Sequence, residues 1–337
     1  MPEAVIVATA RSPIGRANKG SLKDMRPDDM SAQIIRALMA KVPQVKASDV
    51  EDLMMGVGQP AGEAGFNVAR MAALLAGLDN VPGVTVNRYC SSSLQTIRMA
   101  AHAIRAGEGD CFIAAGVETV SRYQFGASDT APNSIFQGPG ARTKLRTAGG
   151  QPTWTPQQGI ADAYIAMGQT AENVVEVEGV TREEMDIFGV RSQNLACEHV
   201  DNGFFEREIT PITLPDGTVV SKDDGPRPGT NIESVSQLKP VFRPDGTITA
   251  GNACPLNDGA AAVMVMSEAS AKHLGIPMSK LNIHGGAIAL GHPFGMTGAR
   301  IMTTLINGLQ FENKTFGMES MCVGGGQGMA MIIERLS

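Results

Sequence analysis

Apolar and polar positions change period repeatedly along this chain. The continuous apolar run "AVIVATA" (4–10) reads as a buried strand, and the three-to-four spacing over 29–41 as an amphipathic helix. The alternation recurs. "LMMGVG" (53–58) is a strand, "NVARMAALLAGL" (67–78) a helix, and "VTVNRY" (84–89) a strand. A helix from Ser92 to Ala106 and a strand "CFIAAGVE" (111–118) come next. Strands alternating with helices predict an α/β fold of βαβ units in a mostly parallel sheet with right-handed crossovers.

From about 120 to 245 the pattern breaks. Gly, Pro, Thr and Gln dominate 126–160, "TREEMDIFGVRSQNLACEHV" (181–200) reads as a helix capped by Thr181 with Glu184 in the capping-box position, and 214–230 is turn-rich. So long a departure implies an inserted lid or ligand-contact subdomain. "GAAAVMVMS" (259–267) returns to strand character. The tail reads "LNIHGGAIA" (281–289) strand into a Gly-rich turn, "GMTGARIMTTLINGL" (295–309) helix, then strands "KTFGMESMC" (314–322) and "QGMAMIIERL" (327–336). Beside 84–118, the order strand, turn with a reactive side chain, helix, strand recurs, which predicts a duplicated α/β half. The copies are unequal. About 80 residues precede "VTVNRYC" in the first, whereas about 14 separate Ser267 from Leu281 in the second. The second half therefore lacks its opening β-α-β-α portion, with "AKHLGIPMSKL" (271–281) crossing the junction. The expected units are 1–119 (first part of the N-terminal half), 120–245 (insert), 246–275 (end of the N-terminal half) and 276–337 (shortened C-terminal half).

Length and composition narrow the class. A chain of 337 residues exceeds one ordinary core, and 43% hydrophobic with 18% charged residues describes a globular protein. The net charge of −6 argues against a general nucleic-acid binder and leaves room for a local basic patch toward one phosphorylated ligand. The start has no signal-peptide pattern, and no run of 18 apolar residues exists to span a membrane. Five scattered cysteines without a CxxC pair fit free thiols in a reducing compartment, with neither a disulfide framework nor a zinc site. A soluble cytoplasmic protein with no nucleic-acid or membrane partner is expected.

Three turns could carry chemistry. Cys90, in "VNRYCSSSLQ", stands at a helix start, where unpaired N–H groups favour thiolate, with three serine hydroxyls beside it; the alternative is a small buried hydrophobe. His292 lies between Gly291 and Pro293 in "GGAIALGHPFGMTGAR", a geometry that projects a side chain into a cleft, though a lone histidine is more often structural. Cys322 precedes three glycines in "MCVGGGQG", whose backbone N–H groups suit an oxyanion; the alternative is a tight turn. It is not a dinucleotide loop, because a strand comes after it. His102, His199 and His273 read as surface or helix-face residues, His284 as a possible cleft residue, Cys111 and Cys197 as core. Asn252 and Asn257 order a loop or contact ligand, with the structural role preferred. Two cysteines and a histidine permit a two-stage acyl transfer through an acyl-cysteine.

The stretches "EAVIVATARSPIGR", "VNRYCSSSLQ", "MGQTAENV", "LKPVFRPDGTITAGNACPLNDGAAAV", "NIHGGAIALGHPFGMTGARI" and "MCVGGGQG" resemble, in order and over nearly the whole chain, the thiolases: acetyl-CoA acetyltransferases and 3-ketoacyl-CoA thiolases. The resemblance implies two βαβαβαββ halves with a loop domain inserted in the first. It implies an acyltransferase of fatty acid metabolism and β-oxidation that cleaves 3-ketoacyl-CoA with CoA, or condenses acyl-CoA in reverse. It further implies no cofactor beyond coenzyme A as substrate and product, and a homodimer or homotetramer. Carried onto this chain, Cys90 is the acylated nucleophile, His292 its activator and an oxyanion donor, and Cys322 the acid/base. The N–H groups of Cys90 and Gly324 form the other oxyanion hole, and Met167 lies in the pantetheine region. Three departures stand out. The family's Asn-Glu-Ala-Phe motif is absent, Ala166 replaces a histidine of many relatives, and Cys254 stands where many have serine beside the ligand. An alternative is a thiolase-like acyl-CoA-binding or scaffold chain without turnover; a decarboxylating condensing enzyme is weaker, since such enzymes use two histidines.

Overall fold

The computed structural model describes residues 4–123, 133–156, 158–267 and 283–336. Its first sheet is assembled from β1 (Ala4–Arg11), the short β2 (Gly15–Arg16), β3 (Asp52–Gly56), β4 (Gly83–Val86) and β5 (Cys111–Thr119), and is completed by β8 (Asn257–Ser267). Helices α1 (Pro27–Lys41), α2 (Val68–Leu75) and α3 (Ser92–Ala106) connect the early strands. Each has a local cause. Pro27 sits in the first turn of α1 ahead of Asp28 and Asp29, with Lys41 at the far end, charges that complement the helix dipole. Gly107, at φ 77°, closes α3 in the left-handed conformation that glycine adopts without strain. The strand expected over 84–89 ends at Val86, because Asn87 Oδ1 accepts the Tyr89 N–H at 2.8 Å and turns the chain.

The strand order is β1-β8-β5-β3-β4, with β2 on β8. β3 runs parallel to β4 and β5, whereas β8 runs antiparallel to both β1 and β5. The expectation of a mostly parallel sheet is thereby corrected to a mixed one. The register gives the reason: Thr119, the end of β5, faces Asp258 at the start of β8, so the insert leaves and re-enters at one end of the sheet. A chain returning at the end it left can pair only antiparallel.

Both faces of this sheet are buried, in strict alternation. Leu53, Met55, Ile113, Ala115, Ala262 and Met264 pack under Met30, Ile34, Ile35 and Leu38 of α1 and Val68, Ala69 and Ala72 of α2. Met54, Phe112, Ala114, Val263 and Val265 face Leu94, Ile97, Ala100 and Ile104 of α3. Continuous apolar runs, rather than alternating ones, are the sequence signature of strands covered on two sides.

The insert holds α4 (Gln137–Thr147), α5 (Met167–Glu178), α6 (Arg182–Asp201), the hairpin β6 (Ile212–Thr213) and β7 (Val219–Val220), and α7 (Ile232–Ser236). The capping box of α6 forms as expected: Glu184 N–H donates to Thr181 Oγ1 at 3.2 Å and Thr181 N–H to Glu184 Oε2 at 2.8 Å. The turn-rich 214–230 stretch carries a tie to the first sheet. Asp223 accepts both guanidinium ends of Arg11, at 2.8 and 3.0 Å, while Glu208 accepts its Nε–H at 2.6 Å.

Beyond β8 come α8 (Ala287–Leu290), α9 (Thr297–Phe311), β9 (Phe316–Val323) and β10 (Gln327–Glu334). The strand expected over 281–289 is not found among its described residues; His284 lies in a turn, Gly285 has φ 87°, and a helical turn comes next. His273, the 271–281 junction and the 275/276 boundary lie outside the described residues. β9 and β10 pair antiparallel from Val323↔Gln327 to Phe316↔Glu334, across Gly325 and Gly326 at φ 79° and 74°. Met321, Met329, Met331 and Ile333 of this ribbon close over Leu94 and Met302, so α3 and α9 lie between two sheets. Among the described residues no helix is long and apolar enough to cross a membrane.

Candidate active site

Cys90 lies in a short helical turn, Tyr89–Ser91, that leads into α3. The residue before it, Tyr89, has φ 44°, a left-handed conformation that costs a bulky side chain energy and is held by its surroundings. The three serines build this turn. Ser91 Oγ donates to Arg88 O, Ser92 Oγ donates to Tyr89 O at 2.6 Å and accepts Arg88 N–H at 2.9 Å, and Ser93 Oγ accepts Ala299 N–H at 2.9 Å. Their hydroxyls shape the turn that carries Cys90 and join it to α9. Burial pushes the Cys90 thiol up to about 11; the Gly324 N–H directed at the sulfur pulls down, and the nearby Cys322 and Cys254 push up again. The thiolate expected from the helix start alone is therefore overridden by desolvation.

His292 sits in the loop between α8 and α9. Gly291 there has φ 106°, and a Cβ on it would meet Asn257 Oδ1 at 2.6 Å, so glycine is required twice over. The His292 N–H donates to that same Asn257 Oδ1 at 2.9 Å, and Asn257 Nδ2 donates to Gly15 O at 2.9 Å. Asn257 thus orders the loop that carries the histidine. The imidazole is pushed down to about 4, first by burial and then by the buried Arg300, so it is neutral near pH 7. Its Nδ1 lies 2.6 Å from Thr297 Oγ1, whose single proton goes to Pro293 O at 2.6 Å. The hydroxyl must then accept from Nδ1–H, which leaves Nε2 as a bare acceptor. A resting His292 can take a proton; donating to an oxyanion requires that it first has one.

The two reactive turns meet through their helices. Besides the Ser93–Ala299 bond, a Cβ on Gly298 would stand 2.3 Å from Leu94 N, so the starts of α3 and α9 touch backbone to backbone. Cys322 is exposed one residue before the end of β9, and Gly324, two residues on, lies close against Tyr89. The structure thus gathers Cys90, Cys322, Gly324 and the exposed Cys254 in one neighbourhood. Met167 is 41% exposed at the first turn of α5 in the insert, where Gly168 lies flush on the Phe242 ring.

The remaining candidates are structural. His284 stacks on Phe204 with centroids 4.0 Å apart, and His199, expected at the surface or on a helix face, lies on the buried face of α6 in the same aromatic group with Phe311. Aromatic partners contributed by distant segments cover that face of the helix. His102 is exposed, Cys111 buried at the start of β5, and Cys197 half-buried on α6. Asn252 ties Asp186, Thr247 and Thr249 together, an ordering role. Sequence reasoning passed over Glu118 and Thr297. Glu118, at the end of β5, accepts N–H groups from Gly58, Gln59 and Gly295 at 2.8, 3.2 and 2.7 Å. Burial pushes it up to about 7 against those three donors. A charged residue closing an otherwise apolar strand was the available signal.

The model of the thiolase N-terminal domain matches residues 4–269 and that of the C-terminal domain residues 252–335. A 3-ketoacyl-CoA thiolase of Shewanella loihica is 35% identical over 407 aligned positions, covering 99% of this chain and 100% of the relative. A beta-ketoadipyl-CoA thiolase of Acinetobacter baylyi is 37% identical over 409 positions, covering all of both. These alignments run about 70 positions beyond the 337 residues of this chain, so the relatives carry that much sequence without a counterpart here. The crystal structure of the Bacillus anthracis acetyl-CoA acetyltransferase superposes with a TM-score of 0.83 at 31% identity, covering 99% of each chain. With both domain models matched in order on a fold that brings their reactive turns together, the chain belongs to the thiolase family.

Proposed function

We propose that this chain is an acyltransferase that cleaves 3-ketoacyl-CoA with CoA, or runs the condensation in reverse, through an acyl group on Cys90. The observation carrying this reading is the meeting of the α3 and α9 starts, with Cys322 and the Gly324 N–H beside the Cys90 sulfur. As Cys90 Sγ attacks the 3-keto carbon, its proton passes to His292 Nε2. The C2–C3 bond then breaks, leaving the shortened acyl group on sulfur and a carbanion at C2 of the departing acetyl-CoA. Cys322 supplies the proton that C2 needs. An incoming CoA thiol gives its proton to the Cys322 thiolate, attacks the acyl carbon, and displaces the Cys90 thiolate, which recovers its proton from His292. The Gly324 N–H, facing the resting sulfur, suits the oxygen of the acyl-cysteine, with the Cys90 N–H as second donor. Met167 and the insert would contact the pantetheine arm. The thiolysis direction corresponds to β-oxidation. Family resemblance supports a cytoplasmic homodimer or homotetramer acting on acyl-CoA and CoA without a resident cofactor, built from unequal halves whose second lacks its opening β-α-β-α portion.

Treatment with acetoacetyl-CoA should leave acetyl on the Cys90 peptide by mass spectrometry, and Cys90→Ser should abolish CoA-dependent loss of substrate absorbance. Cys322→Ala should cut turnover on the order of a hundredfold or more while slowing Cys90 acylation less. The positions absent relative to the family favour a second reading, an acyl-CoA-binding chain without turnover; binding without any Cys90 acylation would select it.

A further inference from the structure

We propose that Glu118 is a positioning residue for His292, a role that rests on His292 acting as proton acceptor for Cys90. The loop 291–297 is held by acceptors from the first sheet. Asn257, at the start of β8, takes the His292 N–H at 2.9 Å, and Glu118, at the end of β5, takes the Gly295 N–H at 2.7 Å. The same Glu118 Oε2 accepts Gly58 N–H at 2.8 Å, and Oε1 accepts Gln59 N–H at 3.2 Å. One carboxylate, 4% exposed, therefore locks the end of β5, the segment after β3 and the histidine loop into a single junction.

The junction has no slack. A Cβ on Gly295 would come within 2.4 Å of Val117 O and 2.7 Å of Gly56 O, and one on Gly116 within 2.1 Å of Gly295 O. One on Gly58 would meet both Glu118 Oε2 and Phe294 Cβ at 2.7 Å. With backbone this close on all sides, a shift at the carboxylate passes to Gly295 and Phe294, and Phe294 packs edge-on against the His292 ring with centroids 5.3 Å apart. His292 belongs in sequence to the second half, yet the first half sets its place.

The test measures Cys90 alkylation by iodoacetamide, which needs no turnover, in the wild type, Glu118→Gln, His292→Asn and the double variant. Glu118→Gln keeps the shape and places a donor where an acceptor stood. It is expected to slow Cys90 alkylation about tenfold, and to change it less than about twofold once His292 is absent, because coupled residues are not additive. Glu118→Asp keeps the carboxyl group and shortens the reach, with the same His292-dependent loss expected, so either variant decides if the other does not fold. Cys111 in the same digest serves as the internal control for general loosening, since it is a buried core thiol. Alkylation at the wild-type rate in both variants, or losses that multiply in the His292→Asn background, overturns the proposal. A wild type that shows the coupling but no thiolysis overturns the function above and leaves the positioning role intact.

Discussion

Cys90 near 11 and His292 near 4 are both neutral at pH 7, so the resting enzyme holds no thiolate–imidazolium pair. On the proposed mechanism, proton transfer then accompanies attack on the substrate, and it depends on Nε2 being the bare nitrogen. Thr297 secures that tautomer, which gives a residue-scale prediction. Thr297→Val should lower kcat for thiolysis by about 10- to 100-fold with KM changed less than about twofold, and Thr297→Ser should restore it. Steady-state assays of the three proteins check this, and a serine variant as slow as valine would remove the tautomer argument. The turns that carry Cys90, His292 and Cys322 were legible in the sequence because Gly, Pro or Ser punctuates each, although the one at His292 joins two helices where a strand-to-helix turn was expected. Thr297 and Glu118 were not, since their partners Pro293 O and Gly295 N belong to a loop whose path no local pattern encodes.

At the scale of elements, α3 was readable to the residue, Ser92 to Ala106, because its apolar face and Gly107 mark it in the chain itself. α4, in "QGPGARTKLRT", was not: with few apolar positions it shows no periodic face. The antiparallel placement of β8 was equally hidden, because it depends on where the insert returns. What matters for the site is the close crossing of α3 and α9 at Gly298. Gly298→Ala adds a methyl 2.3 Å from Leu94 N, and should cost of order 1–3 kcal/mol and reduce turnover as the helix starts part. Gly138→Ala in α4, where nothing lies within 4 Å, should be neutral or slightly stabilising. Thermal melts of the pair distinguish packing at the site from a general effect of the added methyl.

At the scale of the molecule, buried ionisable groups make stability depend on pH with competing signs. His284 binds its proton near 6.5 when unfolded but only near 4 when folded, chiefly because it is buried. Between those values unfolding takes up a proton, so the stability that neutral His284 preserves at pH 7 is lost as pH falls through 6.5 toward 4. Glu118, raised to about 7 by burial, works oppositely over an overlapping range, so a single pH curve does not isolate either. The difference does. Relative to His284→Gln, the wild type should lose of order 2 kcal/mol between pH 7 and pH 4, read from urea midpoints at each pH.

The pairing of the first strand with β8, Ala4 against Ser267 and Arg11 against Ala261, also bears on how the protein is made. As the chain leaves the ribosome, α1, β3, α2, β4, α3 and β5 can assemble early, but among the described residues β1 has no partner strand until β8 emerges after the whole insert. Arg11 likewise waits for Asp223 and Glu208 before its charge is compensated. Such distant closure makes for slow completion of the sheet. For most of its synthesis, the nascent protein carries its first strand unpaired.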